Sequence, residues 1–100
     1  DWTKPAGAIH DLVRALDSWP GAYATFEGTI YKIWRTRLAN PDRKAAPGEI
    51  LAMTERGFLV GTGKGILEIL EIQAPGKKRM AAADYLHGHP LSLPARFDRN

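Results

Sequence analysis

Apolar residues recur at helical spacing near the start of the chain. Four of them stand at i, i+3, i+4 and i+7 and predict one amphipathic helix: Ile9, Leu12, Val13 and Leu16. Thr3 is suited to cap this helix, and Pro5 fits its first turn. The helix is expected to end at Pro20-Gly21.

Beyond this point the pattern changes to short runs rich in β-branched and aromatic residues, separated by turn residues. Five such runs predict strands at residues 22–27, 29–38, 49–54, 57–61 and 66–72. Glu27-Gly28-Thr29 is a predicted turn, and residues 40–47 a polar loop. Residues 80–86 predict a short helix that Gly88 and Pro90 end, followed by a polar tail.

A chain of 100 residues encloses one hydrophobic core, so we expect a single domain spanning residues 1–100. Short strands with both sheet edges open invite aggregation, whereas closure into a barrel removes the edges. The sequence therefore predicts a mainly β fold, a small OB-like closed barrel of five to six strands with an N-terminal helix and a short C-terminal helix. An open β-sandwich or roll is the alternative.

Composition indicates the cellular compartment of the protein more clearly than its function. The formal net charge of +3 and the pI near 9.5 favour polyanionic partners without establishing nucleic-acid binding. Cysteine is absent, which excludes disulfides and thiolate metal sites and fits the reducing cytoplasm. No signal peptide or membrane-length apolar run is visible, so no membrane contact is expected. The opening Asp1-Trp2 lacks an initiator Met, and we expect the C-terminal part of a longer protein.

Two motifs suggest chemistry but are better explained as structure. The glycine-rich stretch of residues 61–65 fits neither the dinucleotide fingerprint nor the phosphate-loop pattern, and is typical of a hairpin turn. His87 and His89 with Asp84 have the residue types of a metal site, but their position after a helix end is typical of an exposed tail. The only serines, Ser18 and Ser92, lie in no nucleophile motif. We expect no catalytic, cofactor or metal site in this domain.

Basic residues form clusters that suggest a binding surface. Lys32, Arg35 and Arg37 share one predicted strand, Lys77-Lys78-Arg79 follow the last strand, and predicted loops contain Arg43, Lys44 and Lys64. Strict strand alternation would separate Lys32 and Trp34 from the two arginines unless a bulge re-aims these side chains. Clustering around one barrel suits phosphate binding, and an RNA target suits an OB-like barrel. Scattered surface charge is the alternative.

Six segments, in this order, resemble the C-terminal domain of folate-dependent formyltransferases: residues 9–16, 19–22, 32–34, 47–50, 61–67 and 73–80. The last of them, Gln73-Ala74-Pro75-Gly76-Lys77-Lys78-Arg79-Met80, is similar specifically to the methionyl-tRNA formyltransferase family. The resemblance runs from about residue 5 to about residue 90. Ser18 departs from the proline that is frequent in the family, but serine also ends helices.

The resemblance implies a parent enzyme that transfers a formyl group from 10-formyltetrahydrofolate to the methionine of initiator tRNA. In that family the folate site and the chemistry belong to an N-terminal Rossmann-like domain, so this domain alone is expected to be inactive and to bind no cofactor. Its implied partners are that catalytic domain and the phosphate backbone of initiator methionyl-tRNA, which the nine basic residues above would bind, and we expect a monomer.

Two alternatives stay open beside this hypothesis. One is a structural barrel without a tRNA role, as in relatives such as formyltetrahydrofolate dehydrogenase and the lipid-A aminoarabinose-modifying enzyme. The other is a stand-alone OB-type binder of single-stranded nucleic acid, which needs exposed aromatic rings on which bases stack. The aromatic candidates for stacking, which could equally belong to the core, are Tyr23, Tyr31, Trp34 and Phe58.

Overall fold

The computed structural model describes residues 1–15 and 22–98 as a curled antiparallel sheet with two helices. The elements in chain order are α1 (Ala6–Ala15), β1 (Ala22–Phe26), β2 (Thr29–Asn40), β3 (Glu49–Met53), β4 (Phe58–Gly61), β5 (Ile66–Gln73), β6 (Met80–Ala81), α2 (Ala82–Gly88) and β7 (Ala95–Arg96). The predicted mainly β fold, its N-terminal helix and its short helix near the C-terminus are confirmed. Neither helix in the described ranges has the length and apolar character that a membrane crossing requires.

The seven strands form one sheet in which β5 is central. The order is β1-β2-β5-β4-β3-β7, every pair is antiparallel, and β6 pairs with the end of β5. The sheet curls into a half-barrel, and Asp98, which follows the edge strand β7, is hydrogen-bonded to the other edge strand, β1. The backbone N–H of Asp98 donates to the Thr25 carbonyl at 2.7 Å, and its carboxylate accepts from the amides of Glu27 and Gly28 at 3.1 and 2.9 Å.

The β1–β2 connection is the predicted tight turn. Glu27 has φ 48° and Gly28 has φ 81°, and positive φ at both central residues is the geometry that matches the twist of a two-residue hairpin. The Asp98 carboxylate binds both amides of this turn. A residue from the far end of the chain therefore fixes the hairpin that starts the sheet.

Helix α1 packs its apolar side against β2 and β5. Ile9 and Val13 are buried as predicted, whereas Leu12 is 44% exposed. The predicted continuation of the stripe at Leu16 and the predicted end at Pro20-Gly21, with Trp19, lie outside the described residues.

The prediction of Thr3 as the helix cap is wrong. Its hydroxyl donates to the Asp1 carboxylate at 2.6 Å, and the helix starts with a hydrogen bond from Ile9 to the Pro5 carbonyl at 3.1 Å. The Ala6 amide donates instead to the Lys64 carbonyl at 2.8 Å, which ties the start of α1 to the β4–β5 loop. A backbone acceptor thus satisfies a donor that a side-chain cap would otherwise bind.

The C-terminal part contains more structure than predicted. Helix α2 begins at Ala82, since Met80–Ala81 pair with β5 as a short strand. The predicted polar tail contributes β7, and it also supplies Phe97, which is 5% exposed and packs against Trp2, Phe26 and Phe58. The tail therefore completes the apolar core.

Candidate functional site

An irregularity in the β2–β5 pairing decides which way the basic side chains of β2 point. Ile33 pairs with Ile72 and Arg35 with Glu71, so Trp34 is an extra residue on β2. Such a bulge shifts the alternation of side chains by one position. Lys32, which strict alternation would separate from Arg35, is therefore brought to the same face.

A second extra residue lies on β5 beside the first. Arg35 pairs with Glu71, but the next pair joins Thr36 to Ile69, which skips Leu70. The shift places Glu68 on the same face as Glu71, because Glu68 pairs with Arg37.

The two bulges create one outer polar surface, which we call the β2–β5 face. Its members are Lys32, Trp34, Arg35 and Arg37 of β2, Glu68, Glu71 and Gln73 of β5, and Arg79 just before β6. The face carries four cations and two carboxylates.

Glu71 lies between two arginines of the β2–β5 face. Arg35 Nε lies 3.1 Å from one carboxylate oxygen, and Arg79 Nε lies 2.5 Å from the other. The side chains of Arg35 and Arg79 are nevertheless 65% and 42% exposed. Because a guanidinium carries five N–H donors, both retain donors for an external anion.

Arg37 contacts a carboxylate that is almost fully buried. Arg37 Nε donates to Glu68 Oε1 at 2.7 Å, and the Thr54 hydroxyl donates to Oε2 at 2.6 Å. Burial raises the pKa of Glu68, but the hydrogen bonds from Thr54 and Arg37, with the charges of Arg37 and Arg56, outweigh it and hold this pKa below its usual value. Arg37 therefore has a structural role in addition to any contact with a ligand.

We expect the stability of the domain to fall at acidic pH partly through Glu68. A carboxyl group whose pKa is lowered by folding stabilises the folded state at pH values above the ordinary pKa of a glutamate. This stabilisation is lost as the pH falls through the lowered pKa of the folded state. Glu68→Gln should cost about 1–3 kcal/mol at neutral pH, because an amide cannot accept from both donors equally. Urea unfolding between pH 7 and pH 3 should show a flatter pH dependence for Glu68→Gln than for the wild type. Equal slopes would contradict the assigned role of Glu68.

Trp34 contacts two of the four cations of the β2–β5 face. Lys32 Nζ lies 3.7 Å and Arg79 Cζ 4.5 Å from its ring centroid. The indole N–H donates to Gln73 Oε1 at 3.0 Å, and the Gln73 amide donates to the Lys77 carbonyl at 2.9 Å. The bulged residue of β2 thus contacts two cations and is linked through Gln73 to the turn that carries Lys77 and Lys78.

The other predicted basic residues lie at the two ends of the β2–β5 ladder. Lys77 and Lys78 are exposed in the turn between β5 and β6, next to Arg79. At the opposite end Arg43 and Lys44 follow β2, while Lys64 precedes β5. The Asn40 side chain accepts from the Arg43 amide at 3.0 Å, and Asn40 pairs with Ile66, which brings the two loops together. All nine predicted residues therefore lie on this ladder or in the loops at its ends.

The glycine-rich loop is the turn that the sequence predicts. Gly65 has φ 91°, and the amides of residues 62, 63 and 64 donate to Gly65 O, Lys4 O and Thr62 Oγ1 at 3.2, 3.0 and 3.2 Å. A phosphate loop needs such amides free to point at the ligand. These three amides are occupied by the protein itself.

Two of the three histidines contact other side chains of the domain. His10 Nδ1 lies 2.6 Å from the Thr36 hydroxyl, and the His89 ring stacks on Tyr85 with centroids 4.1 Å apart. Within residues 1–15 and 22–98, no three His, Asp or Glu side chains come together as a metal site would require.

An apolar cavity of about 240 Å³ opens on the inner side of the curled sheet, between β1–β2 and α2. Its polar atoms include the hydroxyls of Tyr31 and Tyr85, which lie 3.0 Å apart. Burial, together with the hydrogen bond and charge of Tyr85 and the charge of Glu27, raises the pKa of Tyr31 to about 12. This phenol stays protonated at neutral pH and makes a poor base.

The four aromatic candidates for base stacking have different locations. Phe58 is 4% exposed in the core, and Tyr31 lines the cavity. Tyr23 is 49% exposed and lies directly opposite Lys32, so it borders the β2–β5 face, on which Trp34 is half-buried. Tyr23 and Trp34 therefore lie beside the cations of the β2–β5 face, whereas Tyr31 and Phe58 do not.

Sequence reasoning missed the polar partners on β5. Glu68, Glu71 and Gln73 are spaced by three and then two residues, and Lys32, Arg35 and Arg37 are spaced by three and then two in the antiparallel strand. Both spacings break strict alternation. The sequence therefore contained a sign of the bulges, because the polar residues of both strands are irregularly spaced. Only the pairing register shows that the two sets of polar residues lie opposite each other.

Comparison with known proteins identifies relatives along the whole domain. The family model "Formyl transferase, C-terminal domain" matches residues 1–90. Methionyl-tRNA formyltransferase of Solibacter usitatus is 47% identical over 92 residues, which are 92% of this chain and 29% of that protein. Methionyl-tRNA formyltransferase of Methylococcus capsulatus is 45% identical over 92 residues, 92% of this chain and 30% of that protein. The chain thus spans less than a third of the length of these curated relatives.

A solved structure shares the fold. HypX from Aquifex aeolicus, crystallised in complex with tetrahydrofolic acid, superimposes with a TM-score of 0.73 at 20% sequence identity. The match covers 100% of this chain and 20% of that chain. At this identity the likeness establishes the architecture alone.

Proposed function

The chain belongs to the family of formyltransferase C-terminal domains, and from this premise we propose that it is the tRNA-docking domain of a methionyl-tRNA formyltransferase. In this proposal the domain binds the phosphate backbone of initiator methionyl-tRNA in the cytoplasm. The folate donor, 10-formyltetrahydrofolate, and the formyl transfer belong to a separate N-terminal catalytic domain of the same chain.

The observation that carries the proposal is the pair of bulges at Trp34 and Leu70. The bulge at Trp34 gathers the cations of β2 on one face, and the bulge at Leu70 places Glu68 on that face beside Glu71. The turn after β5 extends the face with Lys77 and Lys78. Six cations lie there with two carboxylates, Glu68 and Glu71, so positive charge is in excess. Phosphate groups are bound by Lys and Arg regardless of base sequence, which suits docking rather than base recognition.

A structural role is the second candidate function, because each of three arginines on this face already contacts a carboxylate. Arg35 and Arg79 share Glu71, and Arg37 binds Glu68. If these ion pairs served only to hold β2, β5 and the following turn together, the domain would organise the parent protein without touching tRNA. The two candidates differ in whether the chain binds tRNA at low salt.

We expect the chain to bind tRNA weakly and with strong salt dependence. If about four phosphates are neutralised, log Kd should change with log salt by about three units per decade, at roughly 0.7–0.9 for each phosphate. Lys77→Ala/Lys78→Ala should weaken binding to every tRNA and flatten this slope by up to about two units. Titrations of initiator and elongator tRNA at several salt concentrations measure both quantities, and the two tRNAs should compete almost equally.

A matched control removes the same charge elsewhere on the domain. Arg14 is exposed on α1, and Arg96 lies on β7 with its guanidinium against the Pro47 carbonyl. Arg14→Ala/Arg96→Ala should leave the slope nearly unchanged. An unchanged slope in the double lysine variant would take Lys77 and Lys78 out of the interface. No measurable binding of the wild type at low salt would favour the structural role.

A further inference from the structure

We propose that Trp34 is a positioning residue, which holds Lys32 and Arg79 in place on the β2–β5 face before a phosphate backbone binds. This inference rests on the proposed function, because positioned cations act only if the face meets an anion. It adds that one apolar ring, and not only the number of charges, sets the affinity of the face.

The geometry around the ring supports this role. Lys32 Nζ is 3.7 Å and Arg79 Cζ 4.5 Å from the ring centroid, both within the range of a cation–π interaction. Lys32 comes from β2, whereas Arg79 lies at the end of the β5–β6 turn. The indole is therefore a common contact for two cations that the sequence separates by 47 positions.

The ring is itself fixed in orientation. Its N–H binds Gln73 Oε1 at 3.0 Å, and Gln73 in turn binds the Lys77 carbonyl at 2.9 Å. Rotation of the indole would break the first of these two bonds, whereas the bond from Gln73 to the turn at Lys77 would remain. Strict alternation would already place Trp34 on the face of Lys32, and the bulge adds Arg35 and Arg37 to that face.

Positioning increases affinity because long cationic side chains lose rotamer freedom when they bind. Lys and Arg have among the largest side-chain entropies, and a side chain that is already ordered loses less of it on binding. Glu71 orders Arg79 at the same time, through a 2.5 Å contact. Among the described residues, the ring of Trp34 is the contact that restricts the side chain of Lys32.

The test compares three variants in tRNA titrations. Trp34→Leu should weaken binding about five- to tenfold with an unchanged salt slope, because every charge remains but Lys32 and Arg79 are no longer held. Trp34→Phe keeps a ring face and should stay within about twofold of the wild type. Tyr23→Leu is the matched control, since it removes an exposed aromatic ring opposite Lys32 on the same side of the sheet.

A second readout separates positioning from a general loss of structure. In NMR spectra the ε-methylene protons of Lys32 should be shifted upfield by the indole ring in the wild type, less so in Trp34→Phe, and not in Trp34→Leu. All titrations are made at a temperature where circular dichroism shows each variant folded. This shift does not depend on tRNA and would not respond to a small change in stability.

The outcomes are distinct. Unchanged affinity of Trp34→Leu beside a wild type that binds, or an unshifted Lys32 in the wild type, would overturn the positioning role and leave the proposed function standing. An equal loss in Tyr23→Leu would mean that bases stack on the face, and would overturn it as well. A wild type that binds no tRNA at low salt would overturn the proposed function and the positioning role with it.

Discussion

Gly57→Ala is expected to leave the chain largely unfolded. Gly57 lies between β3 and β4, and a Cβ at this position would lie 1.8 Å from the Ile69 carbonyl oxygen and 3.0 Å from the Cβ of Ala82. Ile69 belongs to the central strand β5, whose pairing with β2 and β4 prevents the carbonyl from moving away. Overpacking between side chains costs about 1–3 kcal/mol, and a clash with fixed backbone should cost more, out of a total stability of about 5–15 kcal/mol.

Thermal unfolding followed by circular dichroism measures this effect, and the chain supplies a matched control. Gly7 lies within α1, and a Cβ there would meet nothing within 4 Å. Gly7→Ala should therefore leave the melting temperature unchanged or raise it, since alanine favours a helix over glycine by about 0.5–1 kcal/mol. A Gly57→Ala chain that melted together with the wild type would show that the β3–β4 turn does not lie against β5 as described.

The parts of the fold that follow from local patterns could be predicted from the sequence. Helical spacing of Ile9 and Val13 indicated α1, and the runs of β-branched residues indicated β1 to β5. Glu27-Gly28-Thr29 indicated the β1–β2 turn, in which Glu27 and Gly28 have positive φ. Each of these features depends on residues that are close together in the sequence.

The features that were missed depend on contacts between distant residues. Strands β6 and β7 have two residues each, too few to show a period, and exist because β5 and β3 offer them partners. The sequence placed Phe97 in a predicted polar tail, yet its side chain is buried against Phe26 and Phe58. No local pattern identifies Gly57 as intolerant of a side chain either, since the obstacle is a carbonyl on another strand.

The candidate site also has features that local patterns predict and features that depend on contacts between distant residues. The basic residue types of β2 and of the turn after β5 could be read from the sequence, but their common face could not. Alternation predicts that Lys32 and Arg35 point to opposite sides, and only the bulge at Trp34 reverses this. The pairing register also reveals that Glu71 lies between Arg35 and Arg79, which lowers the net charge that a phosphate would meet.

Replacing Lys32, Arg35 and Arg79 together by glutamine is expected to remove most of the tRNA affinity. Arg37 is kept, because its loss would leave the buried carboxylate of Glu68 without its cation. Glu71 tolerates the loss of both its partners better, since its side chain is 27% exposed and water can solvate it. If the triple variant flattens the salt slope by about two units, its affinity at about 0.1 M salt should fall on the order of a hundredfold.

The size of this loss, relative to charge removed elsewhere, decides whether the β2–β5 face or the overall charge of the domain binds tRNA. A domain that attracts tRNA only through its net charge of +3 would lose similar affinity for each cation removed, wherever that cation lies. A preorganised face predicts a much larger loss per charge in the triple variant than in Arg14→Gln/Arg96→Gln, measured by the same titrations. Equal losses per charge would contradict the face as the binding surface, because the arrangement of these cations on one face would then contribute nothing to the affinity.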